Sequence, residues 1–147
     1  MSEGSRHKIR IAVIDGYGGG IGSVVVKRLK DEFGEHVEII ALGTNAIATA
    51  QMMKSGANKG ATGENAIVFN APQVDFIIGS LGIMLSYGMM GEVTPKMTEA
   101  IAASPARKIL LPLAQENVEI VGIGEEPLPH LVEKIVKKYL KEWVDNV

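Results

Sequence analysis

The stretch IRIAVIDGYGGGIG, residues 9–22, decides the fold because it joins a buried strand to a glycine-rich helix start. Residues 9–14 are apolar except for Arg10 and are rich in β-branched side chains, which is typical of a buried parallel strand. From Gly20 the apolar residues recur at helical spacing, and Gly34 is expected to end that helix. Between the two elements lies the glycine turn, residues 16–20. The face that packs on the sheet is predicted to carry Ile21, Val24, Val25 and Leu29.

The alternation of strands and helices continues along the chain and predicts a doubly wound sheet. The predicted strands cover residues 9–14, 37–42, 57–61, 76–78, 108–113 and 118–123. The predicted helices start at Gly20, at Thr44 or Asn45, within residues 62–65, at Pro95 and just before Leu131. Residues 83–91 receive no assignment. Residues 114–117 are too short for a crossover helix, so the last two strands are expected to form an antiparallel hairpin. The fold class is therefore a Rossmann-like, mainly parallel α/β sheet of five to six strands, ending in an amphipathic helix.

Composition bounds the function. The chain has 147 residues and no cysteine, which fits one domain over residues 1–147 and excludes thiol catalysis and thiolate metal sites. With 15 bases against 17 acids, no concentrated basic face for nucleic acid is expected. No apolar run approaches the roughly 20 residues of a membrane span, and residues 1–8 are too polar for a signal peptide. We expect a cytoplasmic protein.

The glycine turn suggests phosphate binding. Glycines let a ligand approach the backbone, and the following helix offers free N–H groups and the positive end of its dipole. The alternative is that the glycines serve only close packing of helix and strand. The Gly-x-Gly-x-x-Gly fingerprint fails, because Ile21 stands where the third glycine belongs. A P-loop fails too, because no Gly-Lys-Ser/Thr follows.

The spacing Gly16-x-x-x-Gly20-Ile21-Gly22 resembles the cofactor loop of short-chain dehydrogenases. That resemblance implies a dinucleotide and makes NAD or NADP the leading candidate cofactor. The departures matter: no tyrosine is followed four residues later by lysine, and the acid that usually follows the second strand is replaced by Thr44 and Asn45. Hydride transfer of that type is therefore unsupported.

Asp15 stands where short-chain dehydrogenases commonly carry threonine, and its carboxylate would repel a pyrophosphate. Two orientations are open. Asp15 either turns inward to bond amides of the turn, or faces a metal or a sugar hydroxyl.

The full chain also resembles a family of small, uncharacterised bacterial proteins catalogued as a domain of unknown function. The resemblance rests on residues 11–16 with 18–22, on residues 41–46, and on residues 60–66. It implies a Rossmann-like fold and no known activity.

The carboxyl ends of parallel strands lie side by side, so these segments should form one crevice. Its predicted ligand-binding residues are Gly16, Gly18, Gly19, Gly20, Ile21, Gly22, Gly43, Thr44, Asn45, Glu64, Asn65 and Gly79. The glycines of the first turn would hold a phosphate, Gly43 to Asn45 would approach a ribose or base, and Glu64 and Asn65 would close the crevice. Taken singly, the polar residues can equally be helix caps.

The sequence gives little evidence for catalysis or for metal binding. Glu64 and Glu92 are the only acids in glycine-flanked loops near strand ends, and each is either a general acid/base or a capping or solvated residue. The three histidines are isolated, so no metal site is expected. No catalytic residue is assigned, and whether the protein is an enzyme stays open.

The helix over residues 45–55 carries one charge, Lys54. A helix apolar nearly all round is buried on more than one side, so we expect another subunit to cover it. The sequence thus predicts a homo-oligomer that binds a phosphate-bearing small molecule, with nucleic acid and membrane excluded as partners. The alternative is a non-enzymatic homo-oligomeric sensor or assembly protein.

Overall fold

The computed structural model describes residues 8–113 and 117–145, and within them five strands form one fully parallel sheet. The strands run in the order β3-β2-β1-β4-β5. They are β1 (Ile9–Asp15), β2 (Val37–Gly43), β3 (Lys59–Thr62), β4 (Phe76–Ser80) and β5 (Arg107–Leu111). Because the chain moves outward from β1 in one direction and then in the other, the order reverses between β1 and β4. Ligands of open α/β sheets bind beyond the strand ends at such a reversal.

Helices cover both faces of the sheet. They are α1 (Gly20–Phe33), α2 (Ala46–Lys54), α3 (Glu64–Asn70), α4 (Pro95–Ala103), α5 (Leu128–Lys134) and α6 (Lys141–Asp145). A π-helical segment, Ile135–Leu140, joins α5 to α6. One core lies between the sheet and α1, α2 and the C-terminal helices, and the other lies between the sheet and α3 and α4. None of the helices in the described part of the chain is long and apolar enough to cross a membrane.

Strand β1 shows why the sheet is covered on both faces. Ile11 and Val13 belong to the first core, and Ala12 and Ile14 to the second. Side chains of a strand alternate between faces, so a continuous apolar run buries both. The predicted first strand and first helix are confirmed, and Gly34 ends α1 in the left-handed region at φ 53°.

The predicted antiparallel hairpin is wrong. Within residues 117–123, Val118 forms an isolated bridge, and none of these residues belongs to a strand. Val121 is 99% exposed, and Ile120 and Ile123 are also exposed. The run of β-branched residues resembles a strand, but beyond that single bridge it gains neither pairing nor burial, which are what stabilise a strand. Residues 114–116 of the predicted hairpin turn lie outside the described residues.

Helix α2 buries one side only. Ala48, Thr49 and Met52 are buried, whereas Ile47 is 65% exposed and Met53 is also exposed. The outward apolar side that the sequence assigned to a second subunit is therefore bare in the single chain. Self-association through it stays a prediction.

Candidate functional site

The sheet register places the ends of β1, β2 and β3 side by side. Asp15 pairs with Gly43, and Gly43 pairs with Thr62. The chain is tied across this edge, since Thr44 N donates to Asp15 O at 2.9 Å. Ser80 ends β4 on the other side of β1. The segments that follow four strands therefore line one edge of the sheet, which we call the crevice: residues 15–22, 43–45, 62–65 and 79–94.

Asp15 turns inward, which decides between the two orientations that the sequence left open. Its side chain is 4% exposed; Oδ1 accepts a hydrogen bond from Gly16 N at 2.8 Å, and Oδ2 accepts one from Gly22 N at 2.6 Å. Burial raises the pKa of the Asp15 carboxyl, while hydrogen bonds from the amides of Gly22, Gly16 and Ile21 oppose the rise. The charge of Glu92 adds to it. The carboxylate thus fills the place where the first amides of α1 would meet an anion.

Glu92 lies at the mouth of the crevice, between the glycine turn and the end of β2; the sequence left it as either a general acid/base or a capping or solvated residue. Its Oε1 accepts from Thr44 Oγ1 at 2.7 Å, from Asn45 Nδ2 at 3.1 Å and from Tyr17 N at 3.2 Å. Its Oε2 accepts from Asn45 Nδ2 at 3.1 Å. The bond from Thr44 is the main cause that lowers the pKa of the Glu92 carboxyl, partial burial opposes it, and the bonds from Tyr17 and Asn45 add to the lowering. Glu92 is therefore charged at neutral pH and joins the glycine turn to the end of β2.

At five of the predicted glycines an added Cβ would lie less than 3.0 Å from another atom: Gly16, Gly19, Gly22, Gly43 and Gly79. A Cβ on Gly43 would lie 2.2 Å from Thr49 Oγ1 and 2.6 Å from Thr49 N, and one on Gly79 would lie 2.8 Å from Ile14 O. Gly19 has φ 75° and would meet the backbone of α2 at 2.9 Å. At these three positions the close atoms include backbone, so packing accounts for the choice of glycine. At Gly16 and Gly22 the close atoms all belong to side chains.

Gly18 and Gly20 differ, because an added Cβ would meet no atom within 4 Å at either position. Neither has a positive φ. The backbone faces open space there, so a ligand can approach it. Ile21, the other predicted residue of this turn, packs its side chain against the first core.

Of the remaining predicted residues, Asn45 caps a helix as well as lining the crevice. Asn45 Oδ1 accepts from Ala48 N at 2.8 Å, which caps α2, and Asn45 Nδ2 donates to Tyr17 O at 2.9 Å. Glu64 accepts from Thr94 Oγ1 at 2.6 Å and so connects the start of α3 to the cap of α4. Asn65 is exposed at the rim.

Strained backbone surrounds Glu92. Tyr87, Met89 and Met90 have φ values of 68°, 55° and 58°, and Tyr17 in the glycine turn has φ 50°. Side chains other than glycine rarely adopt this region, and such strain tends to gather at functional sites. Neither tyrosine nor methionine signals a left-handed turn, which is why the sequence gave residues 83–91 no assignment.

The described residues also form a cavity next to the crevice, but no cluster of metal-binding side chains. A cavity of about 740 Å³ lies beyond the ends of β4 and β5 and is lined by Leu81, Pro112, Ile120, Ile123 and Leu131 among others. Apart from Leu81, it shares no residue with the crevice. In residues 8–113 and 117–145, no three His, Cys, Asp or Glu side chains are grouped so as to hold a metal ion.

The chain belongs to a family described as a domain of unknown function, DUF3842, which matches residues 10–144. This membership confirms the resemblance stated from the sequence. No curated protein matches the chain. Among solved structures it is similar to a dodecameric FMN-dependent Ubix-like decarboxylase from Escherichia coli O157:H7, at 11% identity and a TM-score of 0.44, over 88% of this chain and 94% of that one. A likeness this distant says nothing about the ligand, and no comparison supports NAD or NADP.

Proposed function

We propose that the crevice binds a small molecule that carries neighbouring hydroxyl groups and a flat ring, a nucleoside being the class that combines both. Glu92 is its principal hydrogen-bond acceptor. The observation that carries the proposal is the position of the Glu92 carboxylate, which is bonded at once to Tyr17 of the glycine turn and to Thr44 and Asn45 after β2. It is a fixed, partly exposed anion at the mouth of the crevice.

A carboxylate in this position suits a pair of hydroxyl donors. In dinucleotide-binding sheets an acid after the second strand accepts a ribose hydroxyl. Here Thr44 and Asn45 occupy that place, and Glu92 reaches it from the segment between β4 and α4. Each carboxylate oxygen has two lone-pair sites. Among residues 8–113 and 117–145, Oε2 accepts from Asn45 alone, so it retains capacity for a hydroxyl.

An apolar rim favours a flat ring. Tyr17, Tyr87 and Met90 are exposed, Met90 by 93%, and all three stand in the strained left-handed region. This strained backbone exposes apolar side chains to solvent, so the strain is not offset by their burial. A ligand that covers those side chains explains the strain better. Aromatic faces stack on flat rings with favourable dispersion.

The crevice suits the phosphate or dinucleotide predicted from the sequence less well than it suits a sugar. The crevice segments contain no lysine or arginine, while Asp15, Glu64 and Glu92 supply three carboxylates. A phosphate there would depend on backbone amides, of which those of Gly16 and Gly22 already bond to Asp15. NAD and NADP therefore stay predictions, to be included in the panel below.

The test is a ligand panel measured by thermal unfolding and isothermal titration calorimetry. Adenosine, guanosine, cytidine, uridine and ribose are compared with their 2′-deoxy forms, AMP, NAD, NADP, FMN and inorganic phosphate. A ligand at 100 times its Kd stabilises the native state by about 2.7 kcal/mol, which for a chain of this size raises Tm by about 5–11 °C. We expect such a rise with at least one ribonucleoside, and binding weaker by about tenfold for its deoxy form, since a hydrogen bond to a charged group is lost.

Glu92→Gln and Glu99→Gln form the matched pair of variants. Both remove one negative charge, but Glu99 is an exposed residue of α4 outside the crevice. Glu92→Gln should weaken nucleoside binding about tenfold or more, and Glu99→Gln should leave it unchanged. If no ribonucleoside raises Tm, or if the two variants bind equally well, the proposal fails.

The alternative of a homo-oligomeric sensor or assembly protein rests on α2. Its outward side exposes Ile47 and Met53 and carries Lys54 as its only charge. Light scattering after size exclusion should give an oligomer for the natural chain and a monomer for Ile47→Glu. A monomeric natural chain at micromolar concentration would remove the argument for this alternative.

A further inference from the structure

We infer that Asp15 is a specificity-determining residue of the crevice: its carboxylate bonds to the amides of Gly16 and Gly22, on either side of the glycine turn, and thereby excludes phosphate. This inference deepens the proposed function, because it narrows the ligand to molecules without a phosphate at the glycine turn. It is carried by the position and burial of one side chain. The inference rests on the proposed function only for the statement that a ligand binds in this crevice.

The geometry of Asp15 is that of a bound anion supplied by the chain itself. Oδ2 accepts from Gly22 N, the third residue of α1, at 2.6 Å, and Oδ1 accepts from Gly16 N at 2.8 Å. Free amides and the helix dipole at this end of a helix are what hold a phosphate in nucleotide-binding folds. Asp15 is 4% exposed, and Gly16 and Gly22 are also buried, so the bonded carboxylate and amides are shielded from an anion in solvent.

The negative charges around Asp15 also disfavour the binding of phosphate. Glu92 lies near enough for its charge to act unfavourably on the Asp15 carboxylate, and the crevice segments contain no lysine or arginine to offset the two charges. A phosphate at Gly18 and Gly20 would lie on the same glycine turn to which both carboxylates bond, Asp15 through Gly16 N and Glu92 through Tyr17 N. The open space beside those glycines therefore suits a neutral group, although an anion-binding loop is what their sequence resembles.

A purely structural role for Asp15 predicts a different outcome. If the carboxylate only caps the glycine turn, its removal destabilises the fold and creates no new binding. If it excludes phosphate, a small neutral residue at the same position lets phosphate reach the freed amides. A gain of binding therefore separates the two roles.

The test titrates inorganic phosphate, with potassium chloride at matched ionic strength as the reference. Amide NMR shifts and thermal unfolding follow the natural chain, Asp15→Ser and Asp15→Asn, with Glu99→Gln as the control for loss of one charge. The natural chain and Glu99→Gln should show no saturable response to phosphate. Asp15→Ser should bind phosphate at least tenfold more tightly than the natural chain, with shifts centred on Gly18, Gly20 and Gly22. Asp15→Asn, which keeps the volume and removes the charge, should show a smaller gain.

Saturable phosphate binding to the glycine turn of the natural chain would overturn the inference by itself, whatever the variants do. So would a folded Asp15→Ser that binds phosphate no better than the natural chain. If Asp15→Ser does not fold, Asp15→Asn carries the test, and equal binding by that variant and the natural chain would overturn the inference. No nucleoside is used, so failure of the nucleoside proposal and failure of this inference give separate results.

Discussion

Replacement of Gly43 by alanine should unfold the protein at a markedly lower temperature, whereas the same change at Gly20 should not. The sequence treats both glycines as ligand-binding residues of the crevice. The structure separates them, because a Cβ on Gly43 would lie 2.6 Å from Thr49 N and 2.7 Å from Asn45 O. Both are backbone atoms at the start of α2, so α2 would have to move away from the end of β2.

The size of the effect follows from these contacts. Overpacking of a filled interior costs about 1–3 kcal/mol, and a clash with backbone belongs at the top of that range. For a chain of about 150 residues each kcal/mol lowers Tm by about 2–4 °C, so Gly43→Ala should lower Tm by about 6–12 °C. Gly20 meets nothing within 4 Å and starts α1 without a positive φ. Gly20→Ala should therefore be stabilising by about 0.4–1 kcal/mol, through the lost freedom of the unfolded chain.

Differential scanning calorimetry of the two variants and the natural chain, without ligand, measures this contrast. Circular dichroism at 20 °C first checks that each variant is folded. Equal Tm values for Gly43→Ala and the natural chain would refute the packing argument for the crevice glycines. A loss at Gly20→Ala as large as at Gly43→Ala would refute the view that the turn is open at Gly20.

Three further predictions concern single side chains. Asn45→Ala removes the cap of α2 and should reduce the free energy of unfolding in urea by about 1 kcal/mol, whereas a change below about 0.3 kcal/mol would contradict that role. The pKa of Glu92 in the folded chain is below its ordinary value of 4.5, so its hydrogen bonds stabilise the fold fully above that value and lose this effect as pH falls through the lowered pKa. The destabilisation by Glu92→Gln, measured by urea unfolding across pH, should therefore be greatest above pH 4.5 and shrink below it, and a loss constant with pH would disprove the assignment. Val121→Lys should change the free energy of unfolding by less than about 0.5 kcal/mol, because Val121 is 99% exposed, and a larger loss would indicate that it is paired after all.

The centre of the sheet could be predicted from the sequence because β1, β2 and β4 are buried on both faces. Apart from Arg10 and Glu38, β1 and β2 are apolar runs that end at Asp15 and Gly43, and each is followed by small or capping residues that start a helix. At these two strands, the apolar pattern, the strand propensity and the position of the next helix start all favour the same strand boundaries. At residues 118–123 only propensity favoured a strand, and without a partner it did not decide the structure.

The sequence could predict where the site lies, but not the contacts that form it. Parallel strands bring their carboxyl ends together whatever the side chains, so the edge with Thr44 and Asn45 was accessible to sequence reasoning. The bond between Glu92 and Thr44 could not be predicted, because 48 positions of the chain separate the two residues. Glu92 reaches Thr44 through a left-handed turn made by Tyr87, Met89 and Met90, which carries no turn signal in its composition.

The glycine turn also shows why glycine spacing alone does not predict an anion site. Glycines decide whether the backbone can turn and whether a neighbour can approach it, and at Gly19, Gly43 and Gly79 an added Cβ would meet backbone atoms of the chain itself. Whether the helix start is free to bind an anion depends on the residue that ends the strand. Here that residue is Asp15, whose carboxylate already bonds to Gly22 N of α1. A strand that ends in a carboxylate followed by a glycine turn should therefore be interpreted first as a self-capped turn, and the ligand should be sought through other groups of the edge, which in this chain means Glu92.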